Sequence, residues 1–91
     1  MWYFYVIQSL KTPNYFYKGS SNDLRKRFSE HQSGKSAATA PHRPFRLVYY
    51  EAYLFEFAAR QRESSVKQSG AAWGALMKRV KESLEIVKPI P

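Results

Sequence analysis

The sequence contains no cysteine among its 91 residues, which excludes disulfide bonds, cysteine-ligated zinc sites and thiol catalysis. The absence of cysteine also fits a reducing compartment, and we expect the protein in the cytoplasm. No stretch approaches the roughly 20 apolar residues that a membrane-spanning helix needs. The first residues lack the basic segment and apolar run of a secretory signal. We therefore interpret the N-terminus as part of the fold and expect no membrane partner.

Acidic residues are also scarce, since seven Asp and Glu stand against fifteen Lys and Arg and the formal net charge is +8. This excess favours polyanions, nucleic acid first and an acidic membrane surface second. From charge alone, a basic protein without such a partner is an equally good interpretation. Hydrophobic residues form 44% of the chain and aromatic residues 16%, which indicates a folded domain. We expect one domain over residues 1–87 and a C-terminal tail at 88–91.

The N-terminal segment predicts a β-hairpin. Residues 2–8 are dense in aromatic and β-branched side chains, which favour a strand. A turn signal follows at residues 12–14, and residues 15–17 resume the strand pattern. Because side chains alternate between the two faces of a strand, Tyr5 shares a face with the residues two positions before and after it. In the second strand, Tyr17 shares a face with the residue two positions before it.

A helix is predicted directly after the hairpin. Gly19 breaks the second strand, and Ser20 with Asp23 three residues later fits a capping box. The apolar spacing that follows is typical of an amphipathic helix, and Gly34 is a typical helix stop. We expect Glu30 on this helix to pair with Lys26, which would leave few free carboxylates in the chain.

Reactive side chains converge if this helix packs against the hairpin. Arg27 and His31 lie one turn apart on the helix and are therefore neighbours. The phenols of Tyr5 and Tyr17 would join them on the hairpin. A guanidinium binds phosphate oxygens as a planar fork, and an imidazole titrates near neutral pH. The set is suited to handling a phosphate, although tyrosines in a small β-rich domain also commonly serve packing alone.

These residues resemble the GIY-YIG nuclease family, and most of all its small single-domain members related to the N-terminal nuclease domain of excinuclease C. The family's motifs are similar here to Tyr3-Phe4-Tyr5, Tyr17-Lys18-Gly19 and residues 24–31, 43–51 and 59–67. By pattern alone, Glu63 between Arg60 and Lys67 is typical of a solvated ion-pair partner. The resemblance implies instead that Glu63 binds a divalent metal, Mg²⁺ in the first place and Mn²⁺ as the alternative.

The resemblance implies a metal-dependent endonuclease that hydrolyses phosphodiester bonds in DNA. Our working hypothesis gives Tyr5 the role of base, with Tyr17 and His31 orienting it or the water, while Arg27 binds a non-bridging phosphate oxygen. A phenol is a poor base at neutral pH, and we expect Arg27, Lys18 and a cation to lower its pKa. The alternatives are a non-cleaving nucleic-acid-binding domain of the same fold and a basic protein–protein module.

Further basic residues are expected to contact nucleic acid: Lys18, Lys26, Lys35, His42, Arg43 and Lys67. The sequence shows no appended DNA-binding module. We therefore expect cleavage that is structure-selective, or that is directed by a targeting protein or by a homodimer. The resemblance to the excinuclease makes DNA repair the first process to consider.

The remainder of the chain predicts a basic loop at residues 33–44, a third strand at 45–53 and helices at 55–69 and 71–87. On the third strand, Leu47 and Tyr49 should share a face. The expected fold is α/β, an α+β sandwich in which a small three-stranded, mainly antiparallel sheet is flanked by helices in the order β-β-α-β-α-α. Glu51 is expected to be exposed or ion-paired at the end of the third strand.

Overall fold

The protein, seen in a computed structural model that describes residues 1–86, is a three-stranded antiparallel sheet packed between helices. The elements are β1 (Trp2–Ser9), β2 (Phe16–Ser21), α1 (Leu24–Ser33), β3 (Phe45–Tyr53), α2 (Glu56–Gln68) and α3 (Gly70–Ile86), with a short 3₁₀ turn at Ala40–His42. The order β-β-α-β-α-α and the fold class are confirmed. The predicted tail at 88–91 lies outside the described residues. Within residues 1–86, every helix is too short or too polar to cross a membrane.

Strand β1 lies in the centre of the sheet, between β2 and β3, and both of its faces are buried. Phe4 and Val6 face α2 and α3, where they pack in one core with Val66. Tyr5 and Ile7 point to the opposite face, where Phe28 of α1 packs against the second core. The alternation of side chains along a strand therefore divides the domain into two cores separated by the sheet.

A β-bulge in β3 changes which residues share a face. Val6 pairs with Tyr49 while its neighbour Ile7 pairs with Leu47, so that Val48 is an extra residue in the ladder. The expectation that Leu47 and Tyr49 share a face is therefore wrong, because an inserted residue shifts the alternation by one position. Tyr49 packs with the core on the α2 and α3 side.

Two capping residues set the ends of α1. Asp23 is the N-cap residue, and its carboxylate accepts a hydrogen bond of 3.0 Å from the backbone N–H of Lys26. The predicted capping box is wrong in its first member, since Ser20 still belongs to β2. Gly34 ends the helix with φ of 82°, as predicted, because this left-handed conformation costs glycine little.

Helix α2 begins one residue later than predicted. Phe55 is its extended N-cap residue and is 71% exposed, because the chain has not yet turned towards the core at that point. The apolar stripe of α2 starts instead at Ala59 and continues to Val66, both of which are buried. Gly70 is the first residue of α3 rather than the end of α2.

The carboxylate of Glu51 on β3 is ion-paired, as predicted. Its carboxylate accepts hydrogen bonds from Arg62 at 3.1 and 3.3 Å and from the phenols of Tyr49 and Tyr53. These hydrogen bonds and the charge of Arg62 outweigh burial and lower the pKa of Glu51. The cluster joins β3 to α2 and therefore serves the packing of the domain.

Candidate active site

Gly19 leaves the space that the hydroxyl of Tyr5 occupies. The two residues are paired across β1 and β2. A Cβ atom added to Gly19 would lie 2.8 Å from the phenolic oxygen of Tyr5 and 3.2 Å from the ring of Tyr17. These distances are too short for an ordinary contact. The glycine of the Tyr-Lys-Gly motif is therefore explained by the approach of the Tyr5 hydroxyl to the backbone of β2.

His31 fixes the hydroxyl of Tyr5 from the other side. Its Nε2 lies 2.8 Å from the Tyr5 oxygen, and its Nδ1 lies 2.8 Å from Oγ1 of Thr39. The Thr39 hydroxyl donates to the backbone carbonyl of Ser36 at 3.4 Å. With its proton used there, Thr39 accepts from Nδ1–H, and the free lone pair of Nε2 accepts the O–H of Tyr5.

Burial keeps this imidazole neutral. His31 has no solvent exposure, and burial, followed by the positive charge of Arg27, lowers its pKa to about 4. Sequence reasoning identified His31 but not Thr39, which orients it. Thr39 lies in the 33–44 loop, and the sequence gives no indication that this one loop residue is buried.

Arg27 completes the group around Tyr5. It lies close enough to Tyr5 to lower the pKa of that phenol against the larger effect of burial, and its guanidinium pairs with Glu30 at 3.2 Å. Glu30 was expected to pair with Lys26, but the i,i+3 spacing brings Arg27 to it instead. About a third of the Arg27 side chain is exposed, so that part of the guanidinium is open to a ligand.

The acidity of Tyr5 differs from the prediction. Burial raises the pKa of Tyr5 to about 12, and the influence of Arg27, which acts in the opposite direction, does not compensate. The expectation of a lowered pKa is therefore wrong for the protein without bound cation. It considered the neighbouring charges but not the depth at which the phenol is buried.

Tyr17 lies beside the same imidazole. Its ring centroid is 5.1 Å from that of His31 and 6.5 Å from that of Tyr5. The structure thus brings together the four side chains that the sequence predicted to converge: Tyr5, Tyr17, Arg27 and His31.

Glu63 approaches the same stretch of β2 from the opposite face of the sheet. Ser20, which directly follows Gly19, donates a hydrogen bond of 2.6 Å to Oε1 of Glu63. Lys67, one turn further along α2, forms an ion pair with Oε2. The hydrogen bonds from Lys67 and Ser20 outweigh burial and lower the pKa of Glu63, so the carboxylate is ionised at neutral pH. Sequence reasoning missed Ser20 in this role because it assigned the residue to a helix cap.

The edge strand β2 therefore has candidate site residues on both of its faces. The Tyr5 group lies on one face at Gly19, and Glu63 lies on the other at Ser20. After burial and the effects of Arg27 and Tyr17, the charge of Glu63 also raises the pKa of Tyr5. The two halves of the site thus interact electrostatically around the strand edge.

The residues fit a divalent cation held by one carboxylate. Among residues 1–86, no three His, Cys, Asp or Glu side chains come close enough to form a metal cluster. Mg²⁺ commonly keeps several waters and takes one or two carboxylates together with substrate phosphate oxygens. Glu63 is ionised and oriented by Ser20, which suits this mode, provided that Lys67 releases Oε2.

The predicted nucleic-acid contacts divide into three pairs. Lys18 and Lys67 lie close enough together that Lys67, after burial, lowers the pKa of Lys18. His42 instead stacks on Tyr15 with ring centroids 3.8 Å apart, and Arg43 donates to the backbone carbonyl of Ser33 at 3.1 Å. The two remaining residues, Lys26 and Lys35, are exposed.

Comparison with known proteins gives one family and several relatives. Residues 1–76 match the family described as the GIY-YIG catalytic domain. The UPF0213 protein of Bacillus pumilus (strain SAFR-032) is 39% identical over 66 residues, which cover 71% of this chain and 65% of that protein. The UPF0213 protein Reut_B5558 of Cupriavidus pinatubonensis is 31% identical over 72 residues, which cover 78% of each chain.

The UPF0213 protein YazA of Bacillus subtilis (strain 168) is 36% identical over 67 residues, which cover 72% of this chain and 66% of that protein. The match thus spans just under two thirds of the length of the Bacillus relatives. No solved structure gives a significant match to the chain.

Proposed function

The chain belongs to the GIY-YIG catalytic-domain family, and from this premise we propose that it is a metal-dependent endonuclease that hydrolyses phosphodiester bonds in DNA. The observation that carries the proposal is the arrangement around Gly19 and Ser20 of β2. There a hydrogen-bonded Tyr5–His31 pair and Arg27 lie on one face, and the ionised Glu63 lies on the other. Hydrolysis needs a phosphate anchor, a proton acceptor and stabilisation of developing charge, and these side chains supply all three.

Arg27 holds the scissile phosphate. Its guanidinium, on a side chain that is about a third exposed, donates to a non-bridging oxygen while Glu30 orients it. The same contact places the phosphorus next to the Tyr5 oxygen, where the attacking water must bind. Tyr17 borders this position and orients the water.

Tyr5 and His31 transfer the proton of the attacking water. The Tyr5 O–H donates to Nε2 of His31, which leaves lone pairs of the phenolic oxygen free to accept from water. As the water proton moves to Tyr5, the phenolic proton moves to Nε2, so one proton leaves the water and one arrives on His31. A bound phosphate adds negative charge, which raises the pKa of this imidazole from about 4 and favours the transfer.

Glu63 would hold the divalent cation, with Ser20 fixing the orientation of its carboxylate. When bound, the cation would supply charge neutralisation for the phosphoryl and leaving oxygens. Lys67, which pairs with Oε2 of Glu63, would have to release that oxygen to the cation. Mg²⁺ is the first candidate and Mn²⁺ the second, because a single oxygen ligand together with waters suits both.

The substrate range, partner and location belong to the same proposal. We assign the enzyme to the cytoplasm and to a structure-selective or partner-directed cleavage such as DNA repair uses. A targeting protein or a second copy of the chain would supply the selectivity. Lys26 and Lys35 on the exposed surface, and His42 and Arg43 in the loop beyond α1, extend the nucleic-acid contact away from the site.

One observation favours a second function, a non-cleaving nucleic-acid-binding domain. The ion pair of Lys67 with Glu63 occupies an oxygen of the carboxylate that would hold the cation, so that substrate and cation must rearrange the site before it can cut. If these do not reorganise the site, binding occurs without cleavage.

Cleavage of labelled branched and linear DNA with Mg²⁺, with Mn²⁺ and with EDTA tests the proposal. The wild-type protein should cut with a cation and not with EDTA. Arg27→Ala should lose cutting by at least about a hundredfold, whereas Arg25→Ala, which removes an exposed charge from the same helix, should retain it. Binding without metal-dependent cutting on either substrate would contradict the nuclease and leave the binding domain.

A further inference from the structure

A basic groove lies between β2 and residues 73–81 of α3, outside the residues assigned to cleavage. Its volume is about 560 Å³. The side chains that line it are mainly cationic and aromatic or apolar: Phe16, Lys18, Trp73, Met77, Lys78 and Lys81. Lys78 and Lys81 of α3 thus line the same groove as Lys18 of the edge strand β2.

This groove is continuous with the Glu63 side of the site. Lys18 and Ser20 are two residues apart on β2 and therefore point to the same face of the sheet. Ser20 donates a hydrogen bond to Glu63. Lys67 pairs with Glu63 and is near enough to Lys18 to lower the pKa of Lys18, for which burial is the larger cause. A row of ammonium groups thus leads from the carboxylate into the groove.

The two faces of α3 differ in their surroundings. Lys78 and Lys81 are three residues apart and so lie on the same side of the helix, facing the groove. Arg79 points to the other side, where it borders a separate pocket with Glu51 and Arg62. Glu82, an acidic residue on the same part of α3, does not line the groove. The groove therefore concentrates positive charge at one side of α3.

We propose that this groove binds the phosphodiester backbone of the nucleic-acid substrate on one side of the cut and is a second anchor beside Arg27. The inference rests on the proposed function. A lysine ammonium is a compact charge that binds phosphate oxygens without selecting a base. The groove is concave and rich in cations, which favours a polyanion that continues into the site over an isolated anion.

The contact is to the backbone rather than to bases. The Nζ of Lys18 lies 3.8 Å from the centre of the Trp73 ring, so the face of the indole that a base would need for stacking is already occupied. The remaining cationic groups, Lys78 and Lys81, carry no planar fork to read base edges. Binding through the groove is therefore independent of sequence and strongly dependent on salt.

Fluorescence anisotropy of labelled duplexes of two unrelated sequences, in EDTA and over a range of salt, tests the inference without cleavage. Lys78→Ala and Lys81→Ala should each weaken binding equally for both sequences. Each should also reduce the slope of log affinity against log salt by about 1. Arg79→Ala is the matched control, because it removes one positive charge from the other face of the same helix, and it should keep the wild-type slope.

The outcomes separate the inference from the proposed function. Lysine variants with the same slope as Arg79→Ala, in a protein whose wild type binds DNA, would overturn the groove assignment alone. Failure of the wild type to bind either duplex would overturn the groove assignment, while metal-dependent cleavage of branched DNA would still test the proposed function separately. A loss confined to one of the two sequences would overturn the assignment to the backbone.

Discussion

The phenolic oxygen of Tyr5 lies 2.8 Å from Nε2 of the fully buried His31. The two residues belong to β1 and α1, so this hydrogen bond joins the sheet to the helix at the position where the chemistry is proposed. Its direction follows from Thr39, whose hydroxyl oxygen accepts a hydrogen bond from the Nδ1–H of the imidazole. The nuclease proposal depends on this pair and on Glu63 across the strand edge.

Replacement of Tyr5 by Phe should reduce single-turnover cleavage by about 10²–10⁴-fold, because it removes the oxygen that accepts the proton of the water. It should also lower the free energy of unfolding by about 1–3 kcal/mol, since Nε2 of His31 is left buried without a donor. Tyr3→Phe is the control, as Tyr3 lies on the same face of β1 and makes an edge contact with Tyr50. Equal rates for Tyr5→Phe and wild type would remove Tyr5 from the mechanism.

Replacement of Gly19 by Ala should impair both folding and cleavage. The added Cβ would meet the Tyr5 oxygen at 2.8 Å, and overpacking of this kind costs about 1–3 kcal/mol. Gly74→Ala is the matched control, because a Cβ there meets nothing within 4 Å and should stabilise α3 by about 0.5–1 kcal/mol. Urea unfolding measures both changes, and a Gly19→Ala protein as stable and active as wild type would contradict the packing described.

Stability should fall on acidification through the titration of His31. Its pKa is about 4 in the folded protein against an ordinary value of 6.5, so between these pH values the unfolded chain binds a proton that the folded chain does not. The free energy of unfolding therefore decreases as the pH falls from about 6.5 to about 4. At 1.36 kcal/mol per pKa unit the total loss is about 3 kcal/mol, and the contribution is constant below that range.

Urea unfolding at pH 7 and at pH 4.5 measures this loss in the wild type and in one variant. His31→Gln should be less stable than wild type at pH 7 but should lose less stability between the two pH values. A pH dependence of the His31→Gln protein equal to that of wild type would show that His31 is not a buried neutral imidazole.

The sequence predicted the elements well because their signals are local. The bounds of β3 and the end of α1 at Gly34 follow from strand propensity and glycine geometry. The bulge at Val48 changes the face of the sheet to which the following side chains of β3 point. It could not be predicted, because a bulge depends on how two strands pair rather than on either strand alone. The exposed position of Phe55 likewise depends on where the chain enters α2.

The candidate site was predictable in its members but not in its environment. Register and helical spacing were enough to bring Tyr5, Arg27 and His31 together. The burial that raises the pKa of Tyr5 and lowers that of His31 depends on the whole packed domain. Thr39 was missed for the same reason, since a buried loop residue has no local pattern.

Ser20 should act as a positioning residue for the metal ligand. Ser20→Ala removes the hydrogen bond to Oε1 of Glu63, and loss of such a supporting contact typically weakens metal affinity by about 10–100-fold. The Mg²⁺ concentration for half-maximal cleavage should rise accordingly, with a smaller change in the rate at saturating Mg²⁺. Ser20→Thr should restore the wild-type concentration, and Ser21→Ala, one residue further along β2, should leave it unchanged. An unchanged Mg²⁺ requirement in Ser20→Ala would exclude the role.

The most direct test of the proposed nuclease is the Mg²⁺ dependence of DNA cleavage in Glu63→Gln and Glu56→Gln. Both variants remove one negative charge from α2, but Glu56 is paired with Arg60 at 2.6 Å on the surface. We predict that Glu63→Gln loses Mg²⁺-stimulated cleavage by at least about a hundredfold while still binding DNA, and that Glu56→Gln cleaves as wild type. Wild-type cleavage and Mg²⁺ dependence in Glu63→Gln would contradict the central claim that this carboxylate holds the catalytic cation.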